Sequence, residues 1–265
     1  MGADTKALRT RIKSVDSTLH LTKAMGLVAS SKIRRASSGM RKGQQYAKAL
    51  ENIIDTLTAC PECRKSPFMR DGGKRTRLIV IAGDRGLAGG YNANVFRLLQ
   101  EYPEAEVLAI GKRACDRFDK AVVSAELFSA ADAHKMAKEL CEDFAAEKFD
   151  RLGIVCTRYV SMMTQEAGIR WVLPLKSKKD RTIGAVFEPD EITILNTAVL
   201  EYLSGAIIAA VRESFASEVA ARKMAMDSAG KNAQQMIDDL QLSYNRARQG
   251  AITQEITEIV AGSGK

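Results

Sequence analysis

The sequence predicts an α/β protein in which the N- and C-terminal segments form a long antiparallel α-helical coiled coil and enclose a small α/β domain between them in the chain. Two observations predict this fold: apolar residues recur at alternating spacings of three and four in both terminal segments, and short continuous apolar runs occupy the middle. The predicted parts are an N-terminal helix over 1–59, a linker over 60–76, the α/β domain over 77–190 and a C-terminal helix over 191–265.

The N-terminal segment carries an apolar seam that lasts about seven heptads, which is longer than a coiled-coil prediction needs. Small residues in the middle of this seam would allow a partner backbone to approach closely, and Pro61 is expected to end the helix. The seam consists of Leu8, Ile12, Val15, Leu19, Thr22, Gly26, Ala29, Ile33, Ala36, Met40, Gly43, Ala47, Leu50, Ile54 and Leu57.

The C-terminal segment repeats the same rhythm after one four-four stutter. Its helix of about 60 residues is expected to begin near Asn196 or slightly earlier, and it would most economically pair antiparallel with the first helix. The alternative is that both helices are amphipathic and wrap around a globule. The C-terminal seam consists of Ile208, Val211, Phe215, Val219, Arg222, Met226, Ala229, Ala233, Met236, Leu240, Ser243 and Ala247.

In the middle of the chain the apolar residues no longer follow the helical spacing, and their pattern predicts a three-layer α/β domain. Its short apolar runs are typical of buried strands, and Ser129 is placed to cap a helix. A hairpin around 161–165 is one way to join the last two strands. The predicted strands are Leu78–Ala82, Val107–Ile110, Leu152–Val155 and Ile169–Leu173, and the capped helix is Ala130–Glu147.

The charge of the chain is strongly basic and is concentrated at the N-terminus. The formal net charge is +8, and Asp4 and Asp16 are the only acidic residues among the first 48. A polyanion, an anionic membrane surface or an acidic protein patch would each suit such a helix. One alternative function is therefore a basic coiled-coil nucleic-acid-binding protein, although interleaved aromatics, zinc fingers and a helix-turn-helix are lacking.

The segment from Gly83 to Asn92 is a glycine-rich turn from a strand into a helix. Such turns cradle phosphate in dinucleotide-binding folds. The G-x-G-x-x-G spacing and a Walker lysine are both missing, which favours a structural turn over a nucleotide-binding α/β enzyme.

The histidines and cysteines offer little for catalysis or metal binding. His20 and His134 lie in no local arrangement that suggests a triad, and Cys60 with Cys63 is expected to be a loop with neighbouring thiols rather than a redox pair or half a zinc site. We therefore expect no catalytic residue, no cofactor and no metal. The odd count of five cysteines favours free thiols in a reducing compartment.

The sequence also bears on membrane association. No cationic-then-apolar leader precedes the first helix. The longest apolar run, around Ile207 and Ile208, is expected to be interrupted too soon to cross a bilayer. We therefore expect a soluble chain that reaches a membrane only through partner chains, without direct transmembrane insertion.

Two terminal motifs resemble one known family over essentially the whole chain. Leu21–Ala36 closely resembles the N-terminal helix of the gamma subunit of F-type ATP synthase, and Tyr244–Val260 resembles the C-terminal signature of that family. Ala220–Met226 and Gly83–Asn92 also fall where the family has its own motifs.

The resemblance implies a non-catalytic rotor with a central Rossmann-like α/β domain. A single copy would stand in the ring of alpha and beta subunits, contact epsilon and the membrane c-ring, and bind no nucleic acid. It would transmit torque between the c-ring and the catalytic beta subunits during ATP synthesis or hydrolysis. The complex would lie at the cytoplasmic face of a bacterial inner or plasma membrane. The residues that the resemblance implies for contact with alpha and beta subunits are Lys23, Met25, Arg222, Arg248, Gln249, Thr253, Gln254 and Glu255.

Overall fold

The structure is a computed structural model that describes residues 2–70, 73–177 and 187–262, with side chains described from Thr5 onward. These residues fall into two compact units. One consists of Met1–Ala29 together with Lys223–Lys265, and the other is Ser30–Arg222. The two long terminal helices each contribute to both units.

The first helix, α1, spans Gly2–Leu57, and its buried stripe follows the predicted seam. Leu19 and Ala29 are buried in the first unit, and Ala36 and Ile54 are buried in the second. Helix α1 stops at Leu57, ahead of Pro61, and Pro61 opens a 3₁₀ turn, Pro61–Lys65. A residue before proline avoids the α region, so the helix ends ahead of it.

The last helix, α5, spans Glu191–Gly262; its 72 residues exceed the roughly 60 expected from the seam, and it starts at 191, where the predicted C-terminal segment begins. It begins five residues before Asn196 because Asp190 caps its N-terminus. The Asp190 carboxylate accepts hydrogen bonds from the Thr193 amide (2.9 Å) and from the Thr193 hydroxyl (2.8 Å). In the far part of the predicted seam, Ala233 is buried and Leu240 and Ala247 are half-buried, but Met236 and Ser243 are wrong, since Met236 is 44% exposed and Ser243 is exposed. Ile237 and Tyr244 are half-buried instead, in line with Gly230, which lies against α1.

Helices α1 and α5 run antiparallel in each unit, as predicted. Moving along α1 toward higher residue numbers, the neighbours on α5 have lower numbers in both units. Small residues mark the closest approaches, which agrees with the small residues of the predicted seam. The neighbouring pairs are Thr22 with Gly230 and Gly26 with Met226 in the first unit, and Gly43 with Ala209 and Leu50 with Gly205 in the second.

The second unit contains a four-stranded sheet in the order β2-β1-β3-β4. Strand β1 is parallel to both β2 and β3, and β4 is antiparallel to β3, to which the predicted hairpin joins it. Strands β2, β3 and β4 extend the apolar runs that predicted them, whereas β1 starts before its run and ends one residue before the predicted Ala82. The strands are β1 Thr76–Ile81, β2 Glu106–Ile110, β3 Arg151–Tyr159 and β4 Gln165–Leu173.

Helices cover both faces of this sheet, which gives the Rossmann-like domain its three layers. Alternate side chains of β1 enter different cores: Ile79 and Ile81 join the larger one, while Leu78 and Val80 join the smaller one. The larger core also takes side chains from the ends of α1 and α5 that belong to this unit and from α4, Ala130–Ala145. The smaller core is covered by α2, Tyr91–Leu98, and α3, Lys112–Phe118.

The predicted cap of α4 is present as a reciprocal capping box. The Ser129 hydroxyl oxygen accepts a hydrogen bond from the Asp132 amide (3.2 Å), and the Asp132 carboxylate accepts one from the Ser129 amide (2.9 Å). The sequence therefore fixes the start of this helix correctly. Its end comes two residues before Glu147, which adopts a positive φ of 58°.

Helix α5 is long and apolar enough to cross a membrane by length and composition, which contradicts the expectation that its apolar run is interrupted too soon. The most apolar window of the helix is nevertheless 61% buried inside the protein. That burial is typical of a core helix, because a membrane span would present these side chains to lipid.

Candidate functional site

The glycine-rich turn follows β1 and leads into α2 at the carboxyl end of the sheet. In open α/β folds this edge is where ligands bind. In this protein the Glu218 side chain of α5 lies there, so close that a Cβ placed on Gly83 would be 2.7 Å from its carboxyl carbon. The Gly83 amide donates to the Asn92 side chain (2.9 Å) rather than pointing into an open cradle. The glycine thus accommodates α5, in agreement with the structural interpretation of the turn.

Asp84 ties this turn to two other segments of the domain. Its carboxylate accepts hydrogen bonds from the Lys112 amide at the start of α3 (3.0 Å) and from the Ser124 hydroxyl (2.6 Å). The amides of Ala125 and Glu126 also donate to it, each at 3.0 Å. Burial raises the pKa of Asp84, but these four hydrogen bonds outweigh it and hold the pKa below its usual value. Asp84 is therefore an ionised structural centre.

Arg222, one of the predicted contact residues, is held by the same turn. Its guanidinium pairs with Glu218, one helical turn earlier on α5, and donates to the carbonyl oxygens of Gly86 (3.3 Å) and Arg85 (3.4 Å). Burial raises the pKa of Glu218, and the adjacent Arg222 opposes that rise only in part. The Arg222 side chain is only 12% exposed, so it is largely buried in the domain and its charge is already paired.

The other predicted contact residues lie in the first unit and form two groups. Lys23 is exposed and Met25 half-buried on α1, at the level where Gly26 packs on Met226. The second group begins at Arg248, which is 248 − 226 = 22 residues farther along α5 than Met226. At 1.5 Å per residue the two groups are about 33 Å apart along the helix, so the structure does not bring them together. The second group, exposed throughout, is Arg248, Gln249, Thr253, Gln254 and Glu255.

A stripe of exposed isoleucines on the last turns of α5 was not singled out in the sequence. Ile252, Ile256 and Ile259 are 47%, 56% and 69% exposed. Their spacing of four and three places them on one helix face, which is the signal that was available in the sequence. Exposed apolar side chains in a row are typical of a surface that meets a partner.

Cys60 and Cys63 lie in a 3₁₀ turn beyond α1, and both are buried. Burial is the main cause that raises the pKa of Cys63 to about 11, and the neighbouring Cys60 and Glu191 add to it. Little of the reactive thiolate is therefore present near neutral pH. Its Sγ donates to the Glu191 carbonyl oxygen (3.5 Å). Within the described residues, no three His, Cys, Asp or Glu side chains are grouped so that they could hold a metal ion.

Comparison with known proteins places the chain in a single family. A family model described as ATP synthase matches residues 4–264. The ATP synthase gamma chain of Ruminococcus albus is 38% identical over 280 residues, covering 98% of each chain, and that of Stenotrophomonas maltophilia is 36% identical over 283 residues, covering 98% of this chain and 99% of the relative. The nucleic-acid alternative finds no support in these matches.

Solved structures of low sequence identity share the fold. A chain in the cryo-EM structure of the Euglena gracilis mitochondrial ATP synthase rotor has a TM-score of 0.63 at 20% identity, covering 95% of this chain and all of that one. A second is in the Tetrahymena thermophila mitochondrial ATP synthase central stalk and c-ring, with a TM-score of 0.60 at 21% identity, covering 79% of this chain and 99% of that one. Taken with the sequence matches over nearly its full length, they lead to one conclusion: this chain belongs to the ATP synthase gamma chain family.

Proposed function

We propose that this chain is the central-stalk rotor subunit of a proton-translocating F-type ATP synthase and that it transmits torque between the membrane c-ring and the catalytic beta subunits. The observation that carries the proposal is the antiparallel pairing of α1 with α5 in both units of a chain that matches this family from end to end. The chain itself is a non-catalytic subunit of the complex.

A rotor works by mechanical coupling, and the properties of the chain suit that task. Energy passes between distant sites only when a stiff element contacts its neighbours differently in each of their states. Close packing at Gly26, Gly43 and Gly205 brings the two helix backbones together in each unit. Tight packing of this kind transmits strain instead of absorbing it.

The basic face of α1 suits acidic loops of beta subunits. Lys23 is exposed there, and the neighbouring uncharged Met25 would allow such a loop to slide past. Arg222 is also proposed to contact a beta subunit. Since its guanidinium is already paired with Glu218, a beta carboxylate would have to share or replace that partner.

Arg248, Gln249, Thr253, Gln254 and Glu255 are proposed to contact the upper part of the alpha-beta ring. The exposed isoleucine stripe on the same helix would supply the apolar part of that contact. The α/β domain would meet epsilon and the c-ring, with one copy of the chain in each complex. The complex would lie on the cytoplasmic face of a bacterial inner membrane, and this chain would be peripheral.

Assembly tests the proposed function directly. The tagged chain, expressed with the other subunits of its own operon or complex, should purify with alpha and beta subunits in a fixed ratio and with an ATPase activity that the chain alone lacks. Purification of the chain without alpha and beta subunits would contradict the proposal.

A substitution tests the contact at Met25. Met25→Lys adds a positive charge that can pair with an acidic beta loop, so ATP-driven proton pumping per ATP hydrolysed should fall in membranes that carry the assembled complex. Leu27→Lys places the same charge two residues away on an exposed part of α1 and is the matched control. Equal pumping in the two variants and the wild type would refute the assignment of Met25.

A further inference from the structure

A rotor needs a place where torque on the α/β domain reaches the long helices. Apolar packing resists separation but has no preferred direction, so a helix held only by apolar contacts can roll on a sheet. Hydrogen bonds and ion pairs depend on angle and therefore resist such rolling. The relevant feature is thus a set of directional contacts between α5 and the sheet.

One short stretch of α5 carries four buried polar side chains. Glu213, Ser214, Ser217 and Glu218 are 3%, 1%, 0% and 3% exposed, although most neighbours on this part of the helix are apolar. Polar groups are costly to bury unless they are hydrogen-bonded, and these four have partners in the surrounding domain. Their burial is therefore explained by the contacts they make, not by core packing.

The two serines fix α5 to the carboxyl end of β3. The Ser214 hydroxyl oxygen accepts a hydrogen bond from the Thr157 amide (3.1 Å), and the Ser217 hydroxyl donates to the Thr157 carbonyl oxygen (3.1 Å). The Ser214 carbonyl oxygen also accepts a hydrogen bond from the Tyr91 hydroxyl at the start of α2 (3.0 Å). Thr157 is thus hydrogen-bonded to α5 through both its amide and its carbonyl oxygen.

The two glutamates fix the flanks of the same stretch. One oxygen of Glu213 accepts from the Tyr159 amide (3.3 Å) and from the Gln44 side chain of α1 (3.2 Å), and its other oxygen pairs with Arg170 of β4 (3.3 Å). On the other flank, Glu218 lies against Gly83 and accepts a hydrogen bond from the Arg85 backbone of the glycine-rich turn. Both glutamate side chains therefore contact the α/β domain.

The placement of these glutamates resists rotation in both senses. Five residues separate them, which corresponds to about 140° around the helix at 3.6 residues per turn. Rolling α5 in either direction would pull one of the two carboxylates from its partners.

We infer that Glu213, Ser214, Ser217 and Glu218 form a torsional joint through which the α/β domain turns α5. The inference rests on the proposed rotor function and assigns these four side chains as positioning residues for it. None of them contacts the catalytic subunits in this account. They act by holding the helix at one angle on the sheet.

The test measures twist in the assembled complex. A bead attached through Leu127→Cys, whose side chain is 80% exposed on the α/β domain, reports angular fluctuations while a non-hydrolysable ATP analogue arrests the ring. The double variant Ser214→Ala with Ser217→Ala removes both serine hydroxyls of the joint. The matched control is Ser228→Ala, which removes an exposed hydroxyl from the same helix.

The joint predicts that the angular variance of the double variant is at least about twofold larger than that of the control, because two directional contacts are lost. ATP hydrolysis by the two complexes should be equal. Equal variance in the double variant and the control would overturn the joint while leaving the rotor function intact. Absence of rotation by the wild-type complex under ATP would instead overturn the rotor function.

A second variant covers the case in which the double variant does not assemble. Glu213→Gln keeps a carbonyl oxygen for the Tyr159 amide but removes the charge that faces Arg170. It should show an increased angular variance in a complex that still assembles. An unchanged variance in this assembled complex would also overturn the joint.

Discussion

Gly83→Ala should destabilise the α/β domain because the new methyl group would collide with Glu218. The added Cβ would be 2.7 Å from the Glu218 carboxyl carbon and 2.9 Å from one carboxyl oxygen. A comfortable contact between carbon atoms is about 3.5 Å, so the carboxylate would have to retreat by roughly 0.8 Å. Overpacking of this kind costs about 1–3 kcal/mol, and weakening the buried pair with Arg222 adds to the cost. We expect a total loss of about 2–3 kcal/mol in the free energy of unfolding.

The measurement is guanidinium unfolding of the full chain followed by the fluorescence of Trp171. This is the only tryptophan of the chain, and it lies in β4 of the same unit as Gly83. The control is Gly86→Ala in the same turn, where the nearest atom to an added Cβ is the end of the flexible Arg113 side chain at 3.4 Å. That change should alter stability by less than about 0.5 kcal/mol.

A double-mutant cycle decides whether Glu218 is the cause. In a Glu218→Ala background the carboxylate is gone, so Gly83→Ala should cost at least about 1 kcal/mol less than in the wild type. Equal costs in the two backgrounds would refute the claim that Gly83 exists to accommodate Glu218.

Three further predictions concern the helices, the acid response and the thiols. Gly26→Ala should stabilise the chain by about 0.5–1 kcal/mol, since the nearest atom is 3.6 Å away, whereas Gly43→Ala should give no such gain because its Cβ would be 3.3 Å from the Ala209 backbone; thermal unfolding compares them, and equal gains would contradict the close approach at Gly43. The pKa of Asp84 is lower in the folded chain than in the unfolded one, so its stabilisation is complete above about pH 4 and is lost as the pH falls through the folded value. Asp84→Asn should therefore lose less unfolding free energy than the wild type between about pH 6 and about pH 3, and an identical loss would show that Asp84 is not involved. Because Cys60 and Cys63 are buried with raised pKa values, ATPase rates of the complex should be equal with and without reductant, and unequal rates would restore the redox interpretation.

The helical seam was predictable because it depends on a period that the sequence displays. The buried stripe of α1 follows the predicted positions from Leu19 to Leu57. The far seam of α5 was not fully predictable in this way. Two adjacent residues in each heptad are equally well placed to face α1 beside Ala233 and Leu240. The structure uses the column of Gly230 and Ile237, where the glycine leaves room for Leu19 of α1. Contact with a second helix, which a periodicity cannot specify, decided between them.

The role of the glycine-rich turn could be predicted only in part. Its missing phosphate-binding spacing favoured a structural turn over nucleotide binding, but nothing local indicated that Glu218, 135 residues away in the chain, would fill the space (218 − 83 = 135). The four polar residues of the torsional joint were missed for a similar reason. Glutamate and serine in a long helix usually face solvent, so their burial depends on tertiary contacts.

The unit Ser30–Arg222 draws its largest core from three separated stretches of the chain. Leu203, Ile207 and Val211 of α5 and Ile54 of α1 share that core with the strands. An isolated fragment that contained only the strands and their connecting helices would therefore expose a broad apolar surface and be prone to aggregate. Such a middle segment cannot be exchanged between proteins as an independent module, and any recombination that preserves the fold must bring parts of both terminal helices with it.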